Sequence, residues 1–395
     1  MQILKYKYRL YPNQDQLAKL NQVAGNNRFV WNHYLDKEIQ QYANNKTFIF
    51  NKANSKDLTA FKKTNEWLQL SPSTSLQQTR LHLERALKDS FPNSTCRRGF
   101  PKFKKKRHFD SSFSMTMTTT DRNCNFENNT FKIPNIGWIK TKYHRALPSD
   151  FKSCTVKQKA GKWFAVLTVK LAKQPKRTTN RSIGIDLNSK EFVLNDGTRY
   201  VIPKILRENQ AKIAKLQRQL SKKTKSSQSY FKAQKKLAKA FDTVTNKRSD
   251  YFHKLSKKLV DNFDIISLED LNVAAMQQWN GKMIQDNGFG MIRQLIEYKA
   301  ELYGAEVVII DRYYPSSKTC SSCGCVQNIP LSVRVYNCGN CKTVIDRDLN
   351  AAININRAGM AQIHAGGKGT TIQNQILIGK LFAFDETGSP FLENA

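Results

Sequence analysis

Apolar and charged positions alternate at the start of the chain. Ile3, Tyr6 and Tyr8 interleave with Lys5, Lys7 and Arg9, which predicts a strand ended by Pro12. The period then changes. Leu17, Leu20, Val23, Phe29, Val30 and Tyr34 recur at helical spacing, as do Leu76, Leu81, Leu83, Leu87 and Phe91, so residues 13–90 read as helices with an apolar core face. Ser73 or Ser75 is placed to cap the later group. Alternation returns over 110–180. There are short strands from Phe113, Thr130 and Gly137, then two longer ones meeting at a turn of Ala160, Gly161 and Lys162. This predicts a small barrel-like β unit whose first strand is residues 2–10, with the helical segment inserted. The basic stretch 173–181 reads as a linker and a domain boundary.

The second half has a different rhythm. Residues 182–188 form a short apolar strand interrupted by Asp186, followed by a hairpin around Asp196-Gly197. Two long basic helices cover 204–262. Ile213, Leu216 and Leu220 mark the first, and Leu237, Val244, Phe252, Leu255 and Leu259 mark the second at near-heptad spacing; the turn between them is 222–229. Residues 264–269 and 306–311 are buried strands around an amphipathic helix at 289–303, and a final helix begins near Asp348. Strand, hairpin, helices, strand, helix, strand and helix make an α/β layout.

Composition narrows the partner. The 395 residues carry 65 Lys and Arg against 31 Asp and Glu, a net charge of +34, which calls for a polyanion. Seven cations (Arg97, Arg98, Lys102, Lys104, Lys105, Lys106 and Arg107) surround Phe100 and Phe103 with Gly and Pro between. Such a run suits contact with a phosphate backbone and stacking on bases; a solvated loop is the alternative. No apolar stretch reaches the length of a bilayer span, and the first residues show no apolar leader.

Of eight cysteines, five crowd into 320–341. Cys320 and Cys323, then Cys338 and Cys341, form two CxxC pairs whose separation suits one tetrahedral Zn²⁺ with four protein ligands, hence a structural site. Cys325 has the wrong spacing to join them. Cys96, Cys124 and Cys154 are scattered. A second group is acidic: Asp186 and Glu269 end or interrupt apolar strands, and Asp348 opens a helix. If the three converge, they suit two Mg²⁺ ions and phosphodiester cleavage. Alternatively, Asp346 or Asp348 is a helix N-cap, and Glu269 and Asp270 are loop acids.

Taken together, Gly184-Ile185-Asp186-Leu187, Leu268-Glu269-Asp270-Leu271, the run from Tyr314 to Gly324, and Cys338 to Cys341 followed by Asp346-Arg347-Asp348 and Ile355 resemble the TnpB (OrfB) family of insertion-sequence nucleases, relatives of type V CRISPR effectors. The resemblance covers most of 1–359. It implies an RNA-guided DNA endonuclease that uses an RNA from the element's end and a short target-adjacent motif. The implied fold is a RuvC-like nuclease (181–314 and 346–365) with an inserted zinc ribbon (315–345). The implied N-terminal part is a wedge β-barrel split between 1–12 and 96–180, carrying a helical recognition insertion (13–95). By motif match, Asp186, Glu269 and Asp348 become the ligands of two Mg²⁺ ions, for which Mn²⁺ can substitute, with Asp346 in support. Gln77 and Gln78 would lie near the target-adjacent motif, where Gln can read adenine edges. The implied partners are a guide RNA and double-stranded target DNA, bound by a monomer with one RNA, cytoplasmic and nucleoid-associated in a prokaryote, with no membrane. A nuclease-inactive DNA-binding regulator and a cut-and-paste transposase are the competing readings. No role is assigned to 366–395.

Overall fold

The structure, a computed structural model, describes residues 2–48, 54–91, 98–106, 110–116, 126–127, 129–145, 151–179, 181–188, 190–272, 288–330 and 332–366. Arg97 and Arg107 of the basic run, Cys96, Cys124 and all but the first residue of the 366–395 tail lie outside the described residues. Among described residues no helix is long and apolar enough to cross a membrane.

The chain divides into two units, residues 3–171 and residues 172 onward with the first two. In the first, the alternating strand β1 (Gln2–Tyr11) is followed by α1 (Gln14–Asn45), α2 (Asn54–Thr64), a 3₁₀ turn at Glu66–Leu70 and α3 (Ser73–Asp89). Asn13 starts α1 with a capping box: its side chain accepts from the Gln16 N–H while the Gln16 side chain accepts from the Asn13 N–H. The serines expected to cap α3 do not. Its cap position is Pro72, and the Ser75 hydroxyl donates to the Pro72 carbonyl instead.

Strands β2 (Asp110–Thr116), β3 (Phe126–Glu127), β4 (Thr130–Ile133), β5 (Gly137–Lys142), β6 (Phe151–Lys159) and β7 (Lys162–Leu171) join β1 in one sheet, ordered β2-β6-β7-β1-β5-β4-β3. Tyr8, Leu10, Phe131 and Trp163 are buried in its core. A separate helical core gathers Val30, Leu35, Leu68, Leu76 and Leu87.

The second unit is built on a five-stranded sheet, ordered β10-β9-β8-β11-β12. Strands β8 (Ser182–Leu187), β9 (Glu191–Leu194) and β10 (Arg199–Val201) form an antiparallel meander. Strands β11 (Ile265–Glu269) and β12 (Glu306–Ile310) continue parallel to β8. Between them come α4 (Ile205–Ser221), α5 (Gln228–Asn262) and α6 (Phe289–Tyr303). Ile183, Ile185, Ile266 and Leu268 share a core with Phe252 and Leu255 of α5 and Phe289, Ile292 and Ile296 of α6. The last helix, α7 (Arg347–His364), packs on Gly184 and Ser267. Gly184 and Ser267 are register partners, and Gly359 faces Ser267, so small residues on both sides let helix and sheet approach closely. The 173–179 segment packs into this unit: Arg177 donates to the carbonyls of Val260, Asp261 and Phe263, where α5 ends, and pairs with Asp264.

Candidate functional site

Register brings the first two acids together. Ile185 pairs with Leu268 across parallel strands, so Asp186 and Glu269 stand one residue further on, side by side and on the same face. That face is the one α7 covers, and α7 begins with Asp348 in its first turn. The three carboxylates expected to converge are therefore electrostatic neighbours. Burial, then Glu269 and Asp348, push the Asp186 carboxyl well above the usual carboxylate range, against the pull of Arg347. Burial also raises Glu269, opposed by a hydrogen bond from Ser316. An acid cluster held this way favours either protons or cations at its oxygens.

Each remaining acid has its own partners. The Asn188 side chain donates to Asp348 Oδ2 at 2.6 Å, and Arg334 lies 3.9 Å from Asp348 Oδ1. Ser316 Oγ donates to Glu269 Oε1 at 2.5 Å. Asp346 is the N-cap of α7: its Oδ1 accepts from the N–H groups of Asp348 and Leu349 at 3.0 Å, and Arg199 pairs with the same oxygen at 2.9 Å. The capping alternative thus falls on Asp346 and leaves Asp348 facing the other acids. Asp270 is clamped by Arg293 at 2.8 Å and Arg312 at 2.5 Å, and these hydrogen bonds, Arg293's first, hold its carboxyl below the usual range.

The cysteines form a compact cluster. The sulfurs of Cys320, Cys323, Cys338 and Cys341 all lie within 4.8 Å of one another, with Cys320–Cys341 and Cys323–Cys338 each at 3.6 Å. Tetrahedral Zn–S bonds of ~2.3 Å imply sulfur separations of about 3.8 Å, so the donor set fits Zn²⁺. Two tight turns make it. The Cys320 N–H donates to the Cys325 carbonyl and Gly324 takes a φ of 76°; the Cys338 N–H donates to the Thr343 carbonyl and Lys342 takes a φ of 61°. Cys325 thus serves its turn through its backbone and stays outside the group. The short hairpin β13 (Val335–Asn337) and β14 (Val344–Asp346) runs from this cluster into α7. Among described residues this is the one group of three or more His, Cys, Asp or Glu side chains whose ligand atoms already lie close enough together to hold a metal ion.

The expected nucleic-acid contacts sit in the first unit. Gln77 is exposed and lines a cleft of about 480 Å³ with Lys62, Lys63, Gln69 and Arg80. Gln78 is engaged, its amide donating to Thr116 Oγ1 at 2.6 Å. The described part of the basic run is extended and anchored on α1. Trp31 donates to the Lys102 carbonyl, Asn32 exchanges two hydrogen bonds with the Lys104 backbone, and the Lys104 ammonium lies 3.5 Å over the Trp31 ring. Desolvation there lowers Lys104 to about 8. Arg98 pairs with Asp89, whereas Lys102, Lys105, Lys106, Phe100 and Phe103 are exposed.

Residue-level reading missed Asn188, Ser316 and Arg199, the side chains that hold the acids. Asn188 closes the 182–188 segment and Ser316 lies in the run from Tyr314 to Gly324, and their polar character beside apolar strands was the available signal.

Three family models match: one described as “Probable transposase” over 154–280, one as “Cas12f1-like, TNB domain” over 289–355, and one as “Helix-turn-helix domain” over 1–47. The last segment here is a strand and a single long helix. A Streptomyces pristinaespiralis protein named “Putative RNA-guided DNA endonuclease” is 35% identical, covering 91% of this chain and 90% of its own length. An Escherichia coli K12 protein named “Putative RNA-guided DNA endonuclease InsQ” is 30% identical, covering 91% and 93%. Among solved structures, Cas12f1 in a complex with single-guide RNA and target DNA has a similar fold, with a TM-score of 0.53 at 14% identity over 86% of this chain and 82% of that one.

Proposed function

The chain belongs to the TnpB (OrfB) family of the IS605 type, and from that premise we propose that it is an RNA-guided, Mg²⁺-dependent DNA endonuclease of a transposable element. The observation that carries this reading is the meeting of Asp186, Glu269 and Asp348 on one face of the sheet, in a chain of net charge +34. In this reading the five-stranded sheet with α7 is the RuvC-like nuclease core, and the cysteine hairpin is a zinc ribbon inserted before the last helix. The seven-stranded sheet is the wedge barrel, and α1 to α3 are its recognition insertion.

Base pairing with the guide supplies sequence specificity, while the protein reads duplex shape and a short adjacent motif. Exposed Gln77, beside Lys62 and Lys63, is the better-placed reader of that motif, since Gln78 is already hydrogen-bonded to Thr116. Lys102, Lys105 and Lys106 follow phosphates, with Phe100 and Phe103 available for stacking.

Asp186, Glu269 and Asp348 would hold two Mg²⁺ ions, with Mn²⁺ as a substitute, and Cys320, Cys323, Cys338 and Cys341 would hold Zn²⁺. When bound, the divalent ions activate water and stabilise the leaving oxygen of the phosphodiester. Asp186 and Glu269 supply hard oxygen donors from adjacent rigid strands, and Asn188 fixes the orientation of Asp348. Asp346 holds the start of α7 so that Asp348 projects from its first turn. One such site would cut both DNA strands in succession.

The test is the RNA that co-purifies with the tagged protein. One abundant species from the gene's own flank, with a variable 3′ end, supports guided recognition. A smear of cellular RNA means that the charge serves only as a general polyanion sink.

A further inference from the structure

The hydroxyl of Ser316 reaches Glu269 from an unusual direction. It comes from the segment that leads into the cysteine cluster, outside the five-stranded sheet. Ser316 is buried, and its carbonyl accepts from the side chain of Asn354 at 2.8 Å. The same amide donates to the Thr319 carbonyl at 2.7 Å, and Asn350 donates to that carbonyl at 2.7 Å. Asn350 also accepts from the Ser321 N–H at 2.8 Å, and Arg357 donates to the Ser321 carbonyl at 2.8 Å. Thr319 and Ser321 flank Cys320, whose sulfur belongs to the cluster. Asn350 and Asn354 are fully buried on α7, the helix that also carries Asp348.

We propose that Ser316 is a positioning residue for Glu269, and that the cysteine knuckle holds Ser316 in place through Asn350 and Asn354, so that zinc occupancy sets the geometry of the nuclease acids. The proposal rests on the reading of Glu269 as a metal ligand. A long glutamate side chain at a strand end has rotational freedom that a single donor removes, and it then presents its second oxygen in one direction. Burial of an unpaired Asn amide is costly, so Asn350 and Asn354 earn their place on a packed helix only by what they bind. What they bind is the backbone on either side of Cys320. A wholly structural serine would satisfy a nearby carbonyl; this one is spent on an acid.

The experiment titrates Mn²⁺ into the full-length, zinc-replete chain by calorimetry, alongside the Mn²⁺ dependence of cleavage. Loss of an outer partner of a metal ligand costs roughly 10–100-fold in affinity. Ser316→Ala is expected to weaken Mn²⁺ binding about tenfold with zinc content and Tm unchanged, and Ser316→Thr is expected to restore it. Cys341→Ser, which removes zinc, is expected to weaken Mn²⁺ binding similarly, and the double variant to be no worse than either. Wild-type affinity in Ser316→Ala overturns the proposal, as do additive losses in the double variant. If Cys341→Ser does not fold, the Ser316 pair still decides Ser316's role, and Asn354→Ala, expected to match Ser316→Ala, decides the link to the knuckle. Asp186→Ala separates the two readings: if it too binds Mn²⁺ like the wild type, the assignment of the acids fails, and not merely the role of Ser316.

Discussion

Gly184 lies directly beneath Ala352. A Cβ at residue 184 would stand 2.3 Å from the Ala352 carbonyl oxygen and 2.5 Å from the Asn356 nitrogen, both backbone atoms of α7. The glycine two residues before Asp186 therefore sets how closely the helix bearing Asp348 can approach the strand bearing Asp186. Gly184→Ala is expected to destabilise the protein by about 1–3 kcal/mol, the usual cost of overpacking. Cleavage should fall too, because helix and strand must separate. Denaturant unfolding together with a cleavage assay checks both.

The pattern of apolar positions was sufficient for the alternation of strand and helix, since buried β8, β11 and α6 leave uninterrupted or periodic signatures. The cysteine group was legible because ligand spacing is a local property. Convergence of Asp186, Glu269 and Asp348 was not legible from the residues themselves, because it depends on the register of β8 against β11 and on α7 crossing both. The distinct tasks of Asp346 and Asp348 were equally hidden: which acid caps a helix depends on backbone angles two residues apart. The anchoring of Lys104 on Trp31 joins residues 73 positions apart, beyond any local signal.

Raised carboxyls make a pH prediction for the metal-free protein. Asp186 and Glu269 bind protons more tightly folded than unfolded, so what these two groups contribute to stability is fully present below their ordinary range, near 4, and is lost as pH rises through the folded values. Asp186→Asn removes a carboxyl whose ionised form burial and its acidic neighbours disfavour, and is expected to raise the metal-free Tm at pH 7.5 by several degrees. Mg²⁺ should raise the Tm of the wild type and leave that of Asp186→Asn nearly unchanged. A thermal scan across pH with and without Mg²⁺ reads all three effects, and a Tm gap between Asp186→Asn and the metal-free wild type that failed to widen as pH rises from about 4, the ordinary carboxylate value, would contradict the assignment.

Cysteine replacement should separate ligands from a bystander. Cys320→Ser is expected to abolish zinc content and lower Tm, since ligand-deficient sites of this kind lose the folding energy that metal supplies. Cys325→Ser should keep ~1 zinc per chain, the stoichiometry of a four-thiolate site. Metal analysis after gel filtration distinguishes the two.

Asp346 and Asp348 should differ in the same way. Asp346→Ala removes a helix cap and an ion pair with Arg199, costing about 1 kcal/mol, the typical value of a cap. Its cleavage should fall roughly 10–100-fold, as for loss of an outer partner. Asp348→Ala should lose cleavage altogether, and Mg²⁺ should raise its Tm less than it raises that of the wild type. Equal losses in the two variants would mean that both acids bind metal.

The most direct measurement is cleavage and binding of a guide-matched target by the RNA-bound protein and its Asp186→Ala variant, side by side in Mg²⁺. The proposed site predicts that the variant binds the target as tightly as the wild type but cuts it at least about 10³-fold more slowly, as befits a group acting on the reacting atoms. Undiminished cleavage by Asp186→Ala would contradict it.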